Sequence, residues 1–487
     1  MKKIISTIDS LVYRFWLFFL IVLFSVSLVA KAMYNMNDSP YFVWTRGIDI
    51  ILIVVIIVLY CMLFKKADWI EKNIPYWGLI VFFGAIAISF VLLLPIYPIS
   101  DMKYVSDGTL MLAKGDIAGI KETDYLQSIV YNLKVSAFYA LFVSFLPKTV
   151  ISIRLVNVAL YILTFVATGK ICKNIFNKFE KTGVIITASV IPLIAFTNNI
   201  YFDLPVLCLG SWALYFYTRN KNLKNMIISA VFLGITANLR ISAYVFAIAI
   251  VIDFVFSSIK NNRMKEKRTL LCLILFIAIV LVIPYLGDVI VKHFFRTEES
   301  ENVSIWPLFW MGINEPEFGM MHNEYAEYTQ MRFHDFWSLL TSRSFKQNCE
   351  IFGKKILWMW TQGTYQCQRY GFGYDMDDPS LKYIYQTFLT GAFMKSTYII
   401  PATIIVVARA QYMALFFLMM VGIAHIVKNK EYDKYRTFTY LFFGTFLILI
   451  LYEMKARYVF HLLTLMIVFA VLGLKSLQER TKIKQIN

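Results

Sequence analysis

The stretch YWGLIVFFGAIAISFVLLLP, residues 76–95, carries no charge and runs straight into Ile96-Tyr97-Pro98-Ile99-Ser100-Asp101-Met102-Lys103-Tyr104-Val105-Ser106-Asp107. About 20 apolar residues in a helix cross ~30 Å of hydrocarbon. The run therefore predicts a membrane helix, with Asp101 emerging at its mouth, where desolvation and local field tune a carboxylate for chemistry. The remainder of the chain repeats the pattern. Its 487 residues are 59% hydrophobic and 17% aromatic, which excludes a soluble domain and predicts an all-α, polytopic membrane protein.

The net charge of +17 does not point to nucleic acid, because the basic residues sit in short loops beside apolar runs. Lys65, Lys66 and Lys72 form one cluster, and Lys170, Lys173, Lys178 and Lys181 a second. Others are Arg219, Lys221 and Lys224; Arg263, Lys265, Lys267 and Arg268; Lys428, Lys430, Lys434 and Arg436; and Lys475, Arg480, Lys482 and Lys484. Clusters of this kind mark cytoplasmic ends and attract anionic membrane lipids. Lys2 and Lys3, an apolar run and Ala30-Lys31-Ala32 imitate a secretory signal with its cleavage site. The run is longer than an ordinary signal core, so a retained first helix is expected. Cys349 and Cys367 share one loop, and unpaired thiols are expected there.

Apolar segments fall near 11–31, 48–64, 76–95, 128–147, 150–170, 183–200, 202–218, 225–239, 241–258, 269–290, 410–427, 437–452 and 458–474. Basic loops at both termini require an even number of crossings. Segment 128–147 carries Lys134 and breaks at Pro147, so it is expected to be re-entrant or tilted, leaving about 12 crossings. Four regions follow: a hairpin at 1–75; a transmembrane module at 76–290, with a first outer loop at 96–127; a large outer loop at 291–396; and C-terminal helices with a cytoplasmic tail at 397–487. The 291–396 loop holds twelve acids against ten Lys or Arg, which supports placing it outside. Its Trp306, Trp310, Trp337, Trp358 and Trp360 suggest that it lies along the membrane surface.

Charged groups that border apolar helices cost at least ~2.5–3.5 kcal/mol at membrane depth, so each is a functional candidate. They are Asp101 and Asp107, the corner Asn198-Asn199-Ile200-Tyr201-Phe202-Asp203-Leu204-Pro205, Arg240, and Glu453-Met454-Lys455-Ala456-Arg457-Tyr458. Structural duties compete with that reading: Asp203 as a helix cap, Arg240 snorkelling, and Glu453 with Arg457 as a local ion pair. The expected topology, with both termini cytoplasmic, puts all of them at the outer face, as a site carrying both carboxylates and cations.

These residues resemble the GT-C superfamily of polyprenyl-phosphate-sugar-dependent glycosyltransferases, which includes protein O-mannosyltransferases and lipid A aminoarabinose transferases. The likeness rests on the membrane-exit Asp101, the Tyr201-x-Asp203-x-Pro205 corner and the late Glu453-x-Lys455-x-Arg457-Tyr458. Trp310-Met311-Gly312-Ile313-Asn314, followed by Phe318-Gly319, is similar to the outer loop of Gram-positive bacterial members. The resemblance spans roughly residues 76–475 and implies a GT-C-like fold, a polyprenyl-phosphate-linked sugar donor, and an envelope glycan, lipid or protein acceptor. Relatives carry a Pro-containing segment with a cation near the lipid phosphate. Here the matching 125–134 stretch lacks proline and ends at Lys134.

The residue chemistry is consistent with such a transfer. Asp101 is the candidate base for an acceptor hydroxyl, with Asp203 as the second carboxylate. Arg240 and Arg457, with Lys455 in reserve, match phosphate geometry. Tyr104 and Tyr201 are placed to hold sugar or isoprenoid, while Asp107, Lys134 and Glu453 complete the candidate set. No cofactor and no metal is called for, since Asp101 and Asp107 lack ligand spacing. Gly371-Phe372-Gly373 is not a phosphate loop, His322 and His334 read as interfacial, and Arg409 reads as the outer start of a helix. Two other classes compete: an envelope polysaccharide polymerase or ligase with a diphosphate-lipid donor, and a lipid or sugar transporter. No inverted repeat favours the transporter.

Overall fold

In a computed structural model, the protein is described at residues 2–34, 40–296, 305–314, 331–373, 382–396 and 399–486. It is almost wholly helical, and a helix occupies each of the thirteen apolar segments. Nine helices among the described residues are long and apolar enough to cross a membrane, or ten if a bent pair counts as one. That is fewer than the 12 crossings expected, and the shortfall has local causes.

The Val130–Val143 helix, already set apart from those 12, is only 14 residues long. At 1.5 Å per residue it spans about 21 Å, short of the hydrocarbon core. It ends before Pro147, leaving Phe145 and Leu146 exposed. Asp203–Arg219 and Leu223–Leu239 have 17 residues each, so each reaches only about 25 Å. The 183–200 segment is broken into Glu180–Ala188 and Ile191–Asn198, bent by 66°. Pro192 lacks the N–H that would bond the Ala188 carbonyl, which accepts from Tyr161 Oη instead at 2.7 Å. Gln411 bridges the break: its Oε1 accepts from Ile191 N at 2.9 Å and its Nε2 donates to Ser189 O at 2.9 Å.

A small β-element was not expected. Ala30–Tyr34 pairs antiparallel with Pro40–Trp44, and Lys31 Nζ donates to Asp49 Oδ2 at 2.9 Å. Arg409 does not start a helix as expected. It lies buried inside Ile399–Asn429, because the uncharged run before it is itself helical. The large loop contributes to the interior as well as to the surface. Trp337 is exposed, but Trp358 and Trp360 are buried, and Trp360 packs edge-on to Trp16 at 5.9 Å. Phe318 and Gly319 of the loop motif, and His322, lie outside the described residues.

The long helices Ile399–Asn429 and Leu463–Ile486 cross backbone on backbone. A Cβ on Gly473 would sit 2.0 Å from the Leu418 carbonyl oxygen, and one on Gly422 would sit 2.3 Å from that of Phe469. Close approach through small residues drives helix association where lipid removes the hydrophobic incentive. Gly473→Ala is expected to cost about 1–3 kcal/mol, since backbone and not a rotatable side chain is struck. A lowered thermal midpoint in detergent would show it; an unchanged midpoint would mean that the crossing is looser.

Ion pairs sort the two ends of the bundle. At one end Arg436 binds Asp9 (2.7 Å) and Asp253 (3.1 Å), Lys221 binds Asp253 (2.6 Å), and Lys260 binds Asp433 (2.8 Å). The 66–73 and 170–182 stretches likewise meet, through Lys178 with Asp68 and Lys181 Nζ on Glu71 O at 2.6 Å. The basic loops thus gather together. If this end is cytoplasmic, a cysteine placed at Asn174 is labelled by an impermeant maleimide only after the membrane is opened. Labelling from outside would overturn that orientation.

Candidate active site

The stretch leaving the Tyr76–Leu93 helix is fastened from several sides. Tyr97 N donates to Lys382 O at 2.7 Å, Ile384 N to Pro95 O at 2.8 Å, and Asn198 Nδ2 to Leu94 O at 2.9 Å. Arg154 donates to the Ile96 carbonyl. Ser100, at φ 50° and ψ −137°, then turns the chain into the Asp101–Lys114 helix. A non-glycine residue there stores strain of order 1–3 kcal/mol, held by the surrounding bonds. Asp101 becomes the first residue of that helix, where the dipole favours its negative charge.

Asp101 is 27% exposed in its side chain. Its Oδ1 accepts from Tyr125 Oη, and its Oδ2 from Tyr201 Oη at 3.1 Å. Asn132 Nδ2 donates to Tyr125 Oη at 3.0 Å, and the Tyr104 ring stacks on the Tyr125 ring at 4.1 Å. Arg457 Nη2 lies 3.7 Å from Asp101 Oδ2. Burial pushes the Asp101 carboxyl up, but Lys455, Arg457 and the two tyrosine hydroxyls outweigh it and hold the group below the usual carboxylate range.

Arg457 is buried, with its guanidinium carbon 4.8 Å from the Tyr201 ring centre and 4.6 Å from that of Tyr370. Its Nε and Nη1 have no hydrogen-bond partner among the described residues. A buried guanidinium with free donors is costly unless something anionic meets it. Arg240 repeats the device, 4.3 Å from both the Phe202 and Tyr458 ring centres and 3.6 Å from Asp203 Oδ1. Asp203, only 2% exposed, also accepts from Asn199 Nδ2 at 3.0 Å. The 196–203 corner is fixed by Asn157, whose Nδ2 donates to the Asn199 and Thr197 carbonyls at 2.9 and 3.3 Å.

Glu453 joins from the third side. Its Oε2 accepts from Tyr458 Oη at 2.6 Å, and its Oε1 lies 3.2 Å from Lys455 Nζ. Burial opposes the charge on Lys455, but Glu453 and nearby tyrosines hold the ammonium well above its ordinary range. The turn itself is held by Lys355, which donates to the carbonyls of Ile450 (2.6 Å), Tyr452 (2.8 Å) and Gly312. Burial draws that amine down to about 7, against the pull of Glu453.

Three carboxylates, Asp101, Asp203 and Glu453, thus share one end of the bundle with Arg240, Lys455 and Arg457. Two candidates stand apart. Lys134 pairs with Asp288 of the Lys267–Phe295 helix at 2.5 Å and faces the Tyr131 ring. Asp107 is exposed and takes no ion pair or hydrogen bond among the described residues. Six helical residues rotate it about 240° from Asp101; partial burial raises its carboxyl, with Lys103 opposing. Sequence reasoning missed Tyr125, Asn132 and Tyr370 as members of this site. Only their positions in the folded chain select them from 30 tyrosines and many asparagines.

Fold and site together describe a multi-pass membrane protein with carboxylates and cations clustered at one end of its helices. Residues 132–287 match the family described as dolichyl-phosphate-mannose-protein mannosyltransferase. Over that part the chain is similar to the GT-C glycosyltransferases, and a membrane glycosyltransferase of GT-C type is the class supported. No curated protein and no solved structure matches the chain.

Proposed function

We propose that the protein moves one sugar from a polyprenyl monophosphate to a cell-envelope acceptor at the outer face of the membrane. The observation that carries this reading is the Asp101–Arg457 juxtaposition: a carboxylate and a guanidinium with free donors 3.7 Å apart, both held by tyrosines. The acceptor hydroxyl attacks the anomeric carbon while Asp101 takes its proton. The bond from that carbon to the phosphate oxygen breaks, and the phosphate leaves with the electron pair. Arg457 meets the charge that develops there, with Arg240 and Lys455 behind it. Asp203 keeps Arg240 oriented. A carboxyl held below its ordinary range is a modest base, so it accepts the proton late, once bond formation has made the hydroxyl acidic.

The deciding experiment supplies purified protein with crude envelope and radiolabelled sugars on polyprenyl monophosphate. Transfer of label to the envelope is expected. Transfer from a diphosphate lipid alone would select the polymerase or ligase reading. Sugar or lipid counterflow in proteoliposomes without transfer would select a transporter.

A further inference from the structure

A chamber of about 880 Å³ lies beside the β-hairpin, lined by strand, loop and membrane-helix residues. Its polar lining includes three cations, Lys31, Arg46 and Arg409, against one carboxylate, Asp49. Asp49 Oδ2 is already taken by Lys31 Nζ at 2.9 Å and by Arg46 N at 3.0 Å. Arg409 is 2% exposed; its Nη2 donates to Ser27 O at 3.0 Å, while Nε and Nη1 have no partner among the described residues. Gly363, at φ +75°, makes room for its stem, since a Cβ there would lie 3.0 Å from Arg409 Cγ. Burial, with Arg409 and Arg46 adding to it, draws the Lys31 ammonium below its ordinary value despite Asp49.

We infer that this chamber is a second binding site, for the phosphate head of an anionic membrane lipid. Two features select a lipid over free phosphate. Ile405 and Val406 carry an apolar wall onto the Ile399–Asn429 membrane helix, and Ile48 does so onto Gly47–Lys65. Ile48 and Trp44 are also 53% and 78% exposed, so the wall is continuous with the surface where lipid tails lie. Excess positive charge with unpaired buried donors at one end, and apolar helix flank at the other, is the chemistry of an amphiphile with a phosphate head. The site is separate from the transfer site. The buried 361–373 segment stands between them, giving Gln362, Thr364 and Gln368 to this chamber and Tyr370 to Arg457.

Native mass spectrometry of the full chain in neutral detergent, with dioleoyl phosphatidic acid as the probe, tests this. The wild type is expected to retain the lipid, and Arg409→Gln to retain it roughly tenfold less, the loss of one charge-assisted hydrogen bond. Arg409 also supports Ser27, so Arg46→Gln, at an exposed position, is the second variant and should weaken retention too. Asp101→Asn should bind the probe like the wild type, which separates this result from the fate of the transferase reading. Millimolar inorganic phosphate should not displace the lipid. Equal retention in both arginine variants, displacement by inorganic phosphate, or loss of binding in Asp101→Asn would each overturn the inference.

Discussion

Asp101→Asn is expected to give a folded protein whose transfer rate is down by ~10²–10⁴, the usual cost of losing a general base. The substitution keeps the shape. The amide oxygen still accepts from one of Tyr125 and Tyr201, and the other hydroxyl can rotate to accept from the amide nitrogen. What disappears is the proton acceptor and the charge facing Arg457 at 3.7 Å. Because the surroundings hold this carboxyl below its ordinary range, the ionised form contributes stability that is present above the unfolded value and lost as pH falls through the folded one. Some stability is therefore lost at neutral pH, and the gap between variant and wild type should close under strong acid. In the wild type, any acid limb of the rate profile assigned to Asp101 lies below the ordinary carboxylate range. A folded variant with near-normal transfer would remove Asp101 from the mechanism and leave Asp203 as the next candidate.

The second large effect is expected at Arg457→Lys. The guanidinium lies against both Tyr201 and Tyr370 rings, within 5 Å of each centre, and only a plane fits that slot well. Lysine keeps one positive charge but loses the fork of donors, including Nε and Nη1, which have no hydrogen-bond partner among the described residues. Charge-assisted hydrogen bonds of ~1.5–3 kcal/mol translate into roughly 10–150-fold in kcat/KM for the donor. The loss should appear against the lipid-phosphate donor, with the acceptor KM little changed. Wild-type donor kinetics in a folded Arg457→Lys protein would return the residue to a purely structural duty. Arg240→Lys should follow the same direction with a smaller effect, since its donors are already shared with Asp203 at 3.6 Å.

Much of the fold was legible because a bilayer permits so few solutions. An uncharged run such as 76–95 has no alternative to a helix, and all thirteen apolar runs are helical, one of them broken in two. Their status as crossings was less legible, because the break at Pro192 depends on Gln411 and Tyr161, far away in the chain. The 30–44 hairpin was hidden for a similar reason. Ala30-Lys31-Ala32 resembles a cleavage site locally, and only pairing with 40–44 and the ion pair to Asp49 make it a strand.

At the candidate site, the charged side chains that the structure brings together were legible, since Asp101, Asp203, Arg240, Glu453, Lys455 and Arg457 are costly beside lipid. The residues that hold them did not. Tyr125 and Tyr370 look like any other aromatic in a chain that is 17% aromatic. Lys134 carried the right charge near the right segment, yet its partner Asp288 lies more than 150 residues further along the chain and could not be foreseen.

Where Gly422 and Gly473 press one backbone against the other, neither helix can slip a turn past its neighbour without first being pried apart. Arg409 rides on the first of these helices, and Arg457 stands in the Ala456–Leu462 turn that leads into the second. The pair acts as one stiff post: both arginines are mounted on it, which fixes their separation. Any rearrangement of the bundle then falls to more exposed pieces such as the Lys267–Phe295 helix, whose apolar stretch is only 22% buried.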